Sequence, residues 1–453
     1  MHVEQQQNLN RLQELLARGN GELAAFLREL HPADLAELVE ELPEVHRVQV
    51  FRHLGATQAA LVLGELDPET QAALVQALGA RRARDILEEM GADDAADLLA
   101  ELGPEEAGRL LGEMKAEDAA EVRELLHYRP DTAGGLMTKE FVAVHAEMTA
   151  QEAIDHLRQV APEAETIYYV YVVDRSDHLV GVLSLRDLIV ARPDQLVMEI
   201  MRRRVVSVRY DTDQEEVARV IAKYDLLAVP VVDHENRLLG VVTVDDAIDV
   251  LEEETTEDAL RMSAITPDEE SADPRAGVWA LVRPRLPWLV ALLFLEMLAG
   301  KVIEFFQGGF DPATLGLLAV FIPVMAGEAG NGATQALAVV VRGLATGDIH
   351  PREVLRVVWR EFRVGLVAGA IAGALLFAVA SLWHRNILLG LVAGLALAVN
   401  LPVAKTLGAL FPVLLHRLGI DPAVASGPFI TTLTDVTAML TYFGIAAFVL
   451  LHL

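Results

Sequence analysis

The first 130 residues place apolar and polar positions with the spacing of short amphipathic helices. Related stretches begin at residues 31, 67 and 91; each opens with a capping Asp or an early Pro and then spaces Leu or Val three or four residues apart. A helix this short buries too little apolar surface to be stable alone. The pattern therefore predicts an all-α superhelical domain over residues 1–130, in which consecutive helices stack on one another.

From residue 134 to about residue 253 the pattern changes to short strands that alternate with helices, in two similar halves. Each half has a buried strand, a turn, a second strand and a helix that opens with Ser184-x-x-Asp187 or Thr243-x-x-Asp246. Both motifs are typical of a helix N-cap. The duplicated order resembles the CBS-domain family, whose tandem modules often hold adenine nucleotides. We therefore expect an α/β pair with CBS 1 over 131–195 and CBS 2 over 196–253.

The last third of the chain carries five apolar segments that approach membrane-spanning length. They cover residues 286–306, 315–341, 364–383, 387–415 and 424–453, and predict a transmembrane domain of five helices over 281–453. An acidic connector, residues 254–280, precedes them. Arginine dominates the connections on one side of the predicted membrane, whereas the opposite connections carry only Arg385. The dominant set is Arg283, Arg285, Arg342, Arg352, Arg356, Arg360, Arg363 and Arg417. The asymmetry predicts a cytosolic amino terminus and an external carboxyl terminus in a multi-pass protein of the cytoplasmic membrane.

Charge separates the two halves of the chain sharply. Residues 1–275 hold 26 basic and 57 acidic residues, a net charge of −31, whereas residues 276–453 hold 11 and 9, a net charge of +2. So large a negative surplus disfavours a nucleic-acid partner and favours divalent cations. The chain has no cysteine, which excludes disulfides, thiolate metal sites and cysteine catalysis. Enzyme motifs such as His-Glu-x-x-His and Gly-x-Ser-x-Gly are also missing, so we do not expect an enzyme.

Polar residues and helix breakers interrupt several of the apolar segments. The second contains Pro323 and a glycine-rich run with amides, the fourth contains Asn400, Pro402 and Lys405, and the fifth contains Asp435 among threonines. Broken helices at membrane depth predict a hydrophilic path. The candidate lining residues are Asn331, Gln335, Gly327, Gly330, Thr431 and Thr434. Amides and glycines of this kind also serve helix packing.

Asp435 is the candidate for contact with a cation. A carboxylate inside a span costs about 3 kcal/mol on insertion scales and is usually kept for a cation, a proton or a partner. The structural alternative is a hydrogen bond that Asp435 accepts from Thr431, Thr432 or Thr434 and that ties two helices together.

The whole arrangement resembles the MgtE family of magnesium channels. The resemblance rests on the domain order, on Arg-Leu-Pro-Trp before the first span, on Gly-Asn and Val-Arg-Gly-Leu-Ala-Thr-Gly around the second, and on Asp-Pro-Ala followed by Thr-x-x-Asp in the fifth. It implies a homodimer with one pore on the two-fold axis, in which Asp435 of each subunit meets a largely hydrated Mg²⁺. This fits the chemistry of an ion that demands octahedral oxygen and gives up its waters reluctantly.

The same resemblance implies a cytosolic Mg²⁺ sensor that closes the pore. Its positions are Asp93, Asp97, Asp213, Glu215, Asp225, Asp246, Asp249, Glu254, Glu257, Asp258 and Asp421. Carboxylates on facing domains repel one another when cations are scarce, and Mg²⁺ bound between them draws the domains together. Most acidic side chains of this kind simply solvate helix faces. Nucleotide binding, with ATP as a modulator, falls on Tyr169, Arg186 and Asp187.

Departures from the family pattern keep two alternatives open. Ala329, Ala333, Ala338 and Ala438 replace residues that are usual in the family, and the charges of Glu296, Lys301, Glu328 and Lys405 are unexpected in these spans. Glu296 and Lys301 could form a buried pair, either along one helix or between subunits. One alternative is a channel for Co²⁺ or another divalent ion. The other, from a different class, is a nucleotide-sensing CBS protein that the spans merely anchor.

Overall fold

The structure is a computed structural model that describes residues 2–18, 22–160, 167–267, 277–345, 349, 353–418 and 420–452. Arg352 and residues 268–276 of the connector lie outside these ranges. The chain forms two compact units, Met1–Glu252 and Glu253–Leu453.

Short helices fill the amino-terminal part of the first unit, as the apolar spacing predicts. They are α1 His2–Arg18, α2 Glu22–Glu29, α3 Pro32–Glu40, α4 Glu44–His53, α5 Ala56–Gly64, α6 Pro68–Leu78, α7 Ala80–Leu87, α8 Ala92–Glu101, α9 Pro104–Glu113 and α10 Ala116–Leu125. From α3 onward each helix packs against the next but one, α3 on α5 through to α8 on α10. Leu and Ala side chains form the buried core of this stack. The predicted helical amino-terminal domain is confirmed.

The rest of the first unit contains two small sheets with the same topology. Its elements are α11 Ala133–Leu136, β1 Ala143–His145, α12 Ala150–Val160, β2 Tyr169–Val173, β3 Leu179–Ser184, α13 Leu185–Val190, α14 Val197–Ile200, β4 Val208–Arg209, α15 Gln214–Tyr224, β5 Ala228–Val232, β6 Leu238–Thr243 and α16 Val244–Met262. In each sheet a first strand pairs in parallel with a second, which pairs antiparallel with a third. The duplicated α/β fold is confirmed. Helix α16 runs without a break from CBS 2 into the connector.

The second unit is helical. Its helices are α17 Val278–Val282, α18 Leu286–Gln307, α19 Pro312–Ala319, α20 Ile322–Ala345, α21 Val354–His384, α22 Ile387–Arg417 and α23 Gly427–His452, with a 3₁₀ turn at Pro422–Val424. A helix lies over each of the five predicted spans. Within the described residues, four stretches are long and apolar enough to cross a membrane: Pro312–Leu344, Val354–His384, Ile387–Arg417 and Gly427–Leu450.

The breaks in these helices are not where the sequence predicts them. The second span turns at residues 320–321, before Pro323, and α20 then runs continuously through Gly327, Gly330 and Gly332. Helix α22 likewise continues through Pro402. The predicted interruption at the glycines is therefore wrong, because the neighbouring helices pack against Gly330 and Gly332 and hold the helical path. A Cβ at Gly330 would lie 2.9 Å from Thr431, and a Cβ at Gly332 would lie 2.8 Å from Leu401.

Small residues bring α21 and α22 into close contact. Gly365, Gly369 and Gly373 recur every four residues along α21, and a Cβ on any of them would lie within 2.7 Å of the backbone of α22. The helices run antiparallel, since Gly365 meets Pro402 and Gly373 meets Gly394. Close packing of small residues is the usual way in which membrane helices associate.

Candidate ion pathway and regulatory sites

Four exposed polar side chains lie on one side of α20 between residues 328 and 335. This polar stripe consists of Glu328, Asn331, Thr334 and Gln335, which recur at spacings of three, three and one residues. The stripe continues at Gly327, which is exposed and has no atom within 4 Å of the position of a Cβ. Of the predicted lining residues, Gly327, Asn331 and Gln335 therefore lie on an open surface of the protomer, whereas Gly330 is buried against Thr431.

Asp435 lies on α23, which packs against α20. Its carboxylate is half-buried, and among the described residues its Oδ1 is shielded from solvent and has no hydrogen-bond partner. The threonine alternative is not what the structure shows, because the hydroxyls of Thr432 and Thr434 donate to the carbonyls of Pro428 and Thr431, each at 2.9 Å. Thr434 is itself fully buried in the protomer, and Thr431 is half-buried.

Two of the unexpected charges have partners that the sequence did not identify. Lys405 of α22 is 6% exposed, and its Nζ donates to Gln335 Oε1 at 3.1 Å, so it supports the amide from behind the polar stripe. Lys301 Nζ lies 2.6 Å from Glu304 Oε2 on the exposed side of α18. The predicted pair of Glu296 with Lys301 along one helix is therefore wrong, whereas a pair between subunits stays a prediction. Residues three apart share a helix face, whereas residues five apart do not.

The carboxyl end of α16 is anchored to the start of the last helix through one guanidinium. Arg261 pairs with Glu257 one turn earlier on α16 and with Asp421, which precedes the 3₁₀ turn before α23. Met262 packs against the core of the second unit, and Trp288 Nε1 donates to Thr266 Oγ1 at 3.3 Å. The carboxyl end of α16 and the segment just before the last helix are thus held together by an arginine that pairs with two predicted sensor carboxylates.

Acidic side chains of the helical domain and the CBS pair face one another within the first unit. Burial raises the pKa of Asp94 on α8 to about 6, and repulsion from Asp246, Asp245 and Glu65 adds to the effect. Burial also raises the pKa of Asp246, although the hydrogen bond that its carboxylate accepts from Thr243 Oγ1 at 2.6 Å acts to lower it. The pKa of Glu140 is raised by burial and by Glu121 and Asp94.

Most of the other predicted sensor residues lie on α8, α15 and α16 or at the ends of α15. Asp213 caps α15, Glu215 forms an ion pair with Arg219, and Asp225 ends α15 in the left-handed region at φ 52°. Burial, with Asp245 and Glu252, raises the pKa of Asp249. Asp93 and Asp97 lie on α8, and Glu254 and Asp258 on α16. Within the described ranges, no three His, Asp or Glu side chains converge closely enough to hold a metal ion.

The three candidate nucleotide residues are brought together at the start of α13. Tyr169 on β2 lies opposite Ser184 in the strand register, and Arg186 is exposed in the first turn of the helix. Ser184 and Asp187 form a capping box: Ser184 Oγ accepts from Asp187 N at 3.2 Å, and Asp187 Oδ2 accepts from Ser184 N at 3.0 Å. The hydrogen bonds from Ser184 lower the pKa of Asp187.

Comparisons with known proteins cover nearly the whole chain. The family profile described as a divalent cation transporter, MgtE, matches residues 322–445. The MgtE intracellular N domain matches residues 30–131, and the CBS domain matches residues 133–194 and 197–253. A relative called magnesium transporter MgtE, from Thermus thermophilus, is 44% identical over 444 residues, which are 97% of this chain and 98% of the relative. This chain belongs to the MgtE family.

Other MgtE proteins are similar to this chain in sequence and in structure. The magnesium transporter MgtE of Bacillus subtilis is 40% identical over 93% of this chain and 92% of its own length. The first unit is similar to a crystal structure of the cytosolic domain of the Mg²⁺ channel MgtE in complex with ATP, with a TM-score of 0.52 and 50% identity over 53% of this chain and 99% of that one. The soluble part of a magnesium transporter has the same TM-score at 40% identity.

Sequence reasoning missed part of the acidic group in this MgtE chain. Asp94, Asp245 and Glu65 face one another, whereas the family positions drew attention to Asp93 and Asp97. The sequence feature that could have revealed these residues is that two family positions each have an adjacent aspartate: Asp94 follows Asp93, and Asp245 precedes Asp246. Adjacent residues on a helix point about 100° apart, so only the packing decides which one faces the other domain.

Proposed function

We propose that this protein imports Mg²⁺ across the cytoplasmic membrane as a channel, with no chemical step. The observation that carries the proposal is the unpartnered carboxylate oxygen of Asp435, on a helix that packs against the one bearing the polar stripe. A negative group left without a protein partner at membrane depth is expected to face water or a cation. Hydrated Mg²⁺ suits such a site, because it keeps several waters and needs few direct ligands. The relatives' description as magnesium transporters supports the same ion.

The proposed assembly is a homodimer with the pore on its two-fold axis. The polar stripe is uncovered in the protomer, and a second copy would place an equivalent stripe opposite it. We assign residues 1–130, 131–195 and 196–253 to the cytosol, 254–280 to the connector and 281–453 to the pore domain. The amino terminus is cytosolic and the carboxyl terminus external, in accordance with the arginine-rich connections.

Cytosolic Mg²⁺ closes this channel in our proposal. The facing carboxylates of Asp94, Asp245 and Asp246 repel one another, as the raised pKa values of Asp94 and Asp246 indicate. A divalent cation among them lowers that repulsion and favours the closed arrangement of the helical domain and the CBS pair. The connector, anchored through Arg261 to Asp421, transmits the change to the start of α23.

ATP is the proposed modulator. Tyr169 and Arg186 flank the amino terminus of α13, where a phosphate or ribose can meet the exposed guanidinium of Arg186. The related cytosolic domain was crystallised in complex with ATP, which supports a nucleotide site in the first unit.

Flux into liposomes tests the pore assignment. Asp435→Ala is expected to abolish Mg²⁺ uptake, because it removes the carboxylate that replaces part of the hydration shell of the ion. Glu304→Gln is the matched control, since Glu304 is exposed and paired with Lys301. Equal uptake by the wild type and Asp435→Ala would remove Asp435 from the pathway.

The altered glycine pattern does not favour Co²⁺ over Mg²⁺. Ala329 and Ala333, which replace family glycines, are fully buried and lie away from the polar stripe. Their methyl groups therefore change helix packing rather than the lining. Competition flux with Mg²⁺, Co²⁺, Ni²⁺ and Ca²⁺ is expected to show a preference for Mg²⁺, and stronger competition by Co²⁺ would reverse this assignment.

A further inference from the structure

Glu328 is an acidic residue on the second predicted span, and no family feature accounts for it. It lies on α20 seven residues after Phe321, inside the stretch long enough to cross a membrane. Its side chain is exposed in the protomer, and no described side chain is within hydrogen-bond or ion-pair distance of it. Glu304, an acidic residue on α18, is by contrast paired with Lys301.

The neighbours of Glu328 along the helix show which environment it faces. Asn331 and Gln335 follow at three and seven residues, which places all three on one helix face. Two of these are amides, and the third is a carboxylate that lipid would tolerate poorly. A face of this composition meets water or the equivalent face of a second copy rather than hydrocarbon.

The packing of α20 against α23 gives the depth of Glu328. A Cβ built on Gly330 would lie 2.9 Å from Thr431, and a Cβ built on Gly427 would lie 3.8 Å from Thr334. The two helices therefore run antiparallel in this register. The register sets Asp435 level with residue 326 of α20. Glu328 is two residues further along, about 3 Å nearer the cytosolic end at 1.5 Å per residue.

We propose that Glu328 lines the ion pathway and, together with Asp435, forms an extended acidic binding region for a hydrated divalent cation. This rests on the proposed function and adds a residue to it. In the dimer the region would contain two carboxylates from each subunit instead of one. A hydrated ion can interact with both levels through its water shell, so that Glu328 raises the local concentration of divalent over monovalent cations.

Neutralisation of Glu328 gives the first test. Purified full-length Glu328→Gln in liposomes is expected to take up Mg²⁺ roughly threefold to tenfold more slowly at submillimolar external Mg²⁺, and to lose part of its preference for Mg²⁺ over K⁺, because a unit charge acts on the ion across a few ångströms of water. Glu328→Asp, which keeps the charge, is expected to stay near the wild type. Glu304→Gln is the matched control for the loss of one acid.

Thiol accessibility gives a second test that does not depend on flux. The chain has no cysteine, so Glu328→Cys introduces a single thiol. A cationic, water-soluble methanethiosulfonate reagent is expected to modify it, and Mg²⁺ is expected to slow the modification. Ile371 is 67% exposed and lies on the apolar side of α21, so Ile371→Cys is expected to resist the same reagent.

The outcomes separate this inference from the channel itself. Loss of flux in Asp435→Ala with wild-type flux and selectivity in Glu328→Gln would overturn the role of Glu328 and leave the channel intact. An unreactive thiol in Glu328→Cys would also overturn it, since the side chain would then be in lipid or in dry packing between subunits.

Discussion

At the scale of single residues, the capping box of α13 combines a structural role with a proposed ligand-binding role. Ser184→Ala is expected to destabilise the protein by about 1 kcal/mol, because it removes the acceptor of the first-turn amide. Arg186→Gln is the matched variant, since Arg186 is exposed and takes no part in the box. Thermal unfolding of both variants, with and without ATP, measures the two roles.

ATP binding gives the second half of that prediction. Saturating ATP is expected to raise the melting temperature of the wild type and to have little effect on Arg186→Gln. An equal shift in both proteins would place the nucleotide elsewhere, whatever the cost of Ser184→Ala.

Residues whose role depends on local sequence were predictable, and those whose role depends on a distant partner were not. Ser184 with Asp187 and Thr243 with Asp246 are caps that a four-residue motif specifies. Lys405 is different, because its partner Gln335 lies 70 positions earlier on another helix. No periodicity within α22 reveals that contact.

At the scale of helices, the glycines of α21 leave the least room for a larger side chain. Gly365→Ala would place a Cβ 2.5 Å from the Pro402 backbone, which cannot move aside as a side chain can. We expect a loss of about 1–3 kcal/mol. A Cβ at Gly316 on α19 would have no atom within 4 Å, so Gly316→Ala is expected to be neutral or slightly stabilising. Thermal unfolding in detergent, followed by size exclusion, compares them; equal stability would mean that α21 and α22 are further apart.

The bridge at Arg261 gives a prediction for the connector. Arg261→Gln removes two partly exposed ion pairs, each worth about 0.5–1 kcal/mol, and therefore weakens the anchoring of α16 to the start of α23. Mg²⁺ flux at closing concentrations is expected to rise roughly fivefold. Arg356→Gln, which breaks one exposed pair with Glu353, is the control. Unchanged flux in Arg261→Gln would show that the bridge does not contribute to closure.

Helix type and order were predictable from the sequence, but the positions of breaks were not. Apolar length and arginine-rich flanks specify a membrane helix, whereas a glycine run is compatible both with a break and with close packing. At Gly330 and Gly332 the close contacts with Thr431 and Leu401 show that these glycines serve helix packing. The turn at residues 320–321 comes instead just before Pro323, where a proline near a helix start is well tolerated.

At the scale of the whole molecule, the charge imbalance between the two halves determines how the cytosolic part responds to cations. Residues 1–275 carry a net charge of −31, and part of it lies where the helical domain faces the CBS pair. Protons and Mg²⁺ neutralise the same carboxylates, so both should favour the closed arrangement. Monovalent salt only screens the charges and should be much less effective at equal ionic strength.

Asp94 makes this response dependent on pH. Its pKa is about 6 in the folded protein, against an ordinary value of 3.8, so the folded state holds the proton more tightly than the unfolded chain does. Stability from this contact is therefore lost as the pH rises from about 4 through about 6, and it remains low above that range. Without Mg²⁺, resistance of the full-length protein to protease is expected to increase as the pH falls from 7.5 to 5.5.

The variant Asp94→Asn isolates this effect, because it mimics the protonated carboxyl and removes its charge at every pH. It should be protected at pH 7.5 with less Mg²⁺ than the wild type needs, and its protection should change little down to pH 5.5. Asp194→Asn, whose side chain is 84% exposed, should keep the wild-type response. If Asp94→Asn also kept it, the repulsion that opposes closure would come from other carboxylates, with Asp246 the next to neutralise.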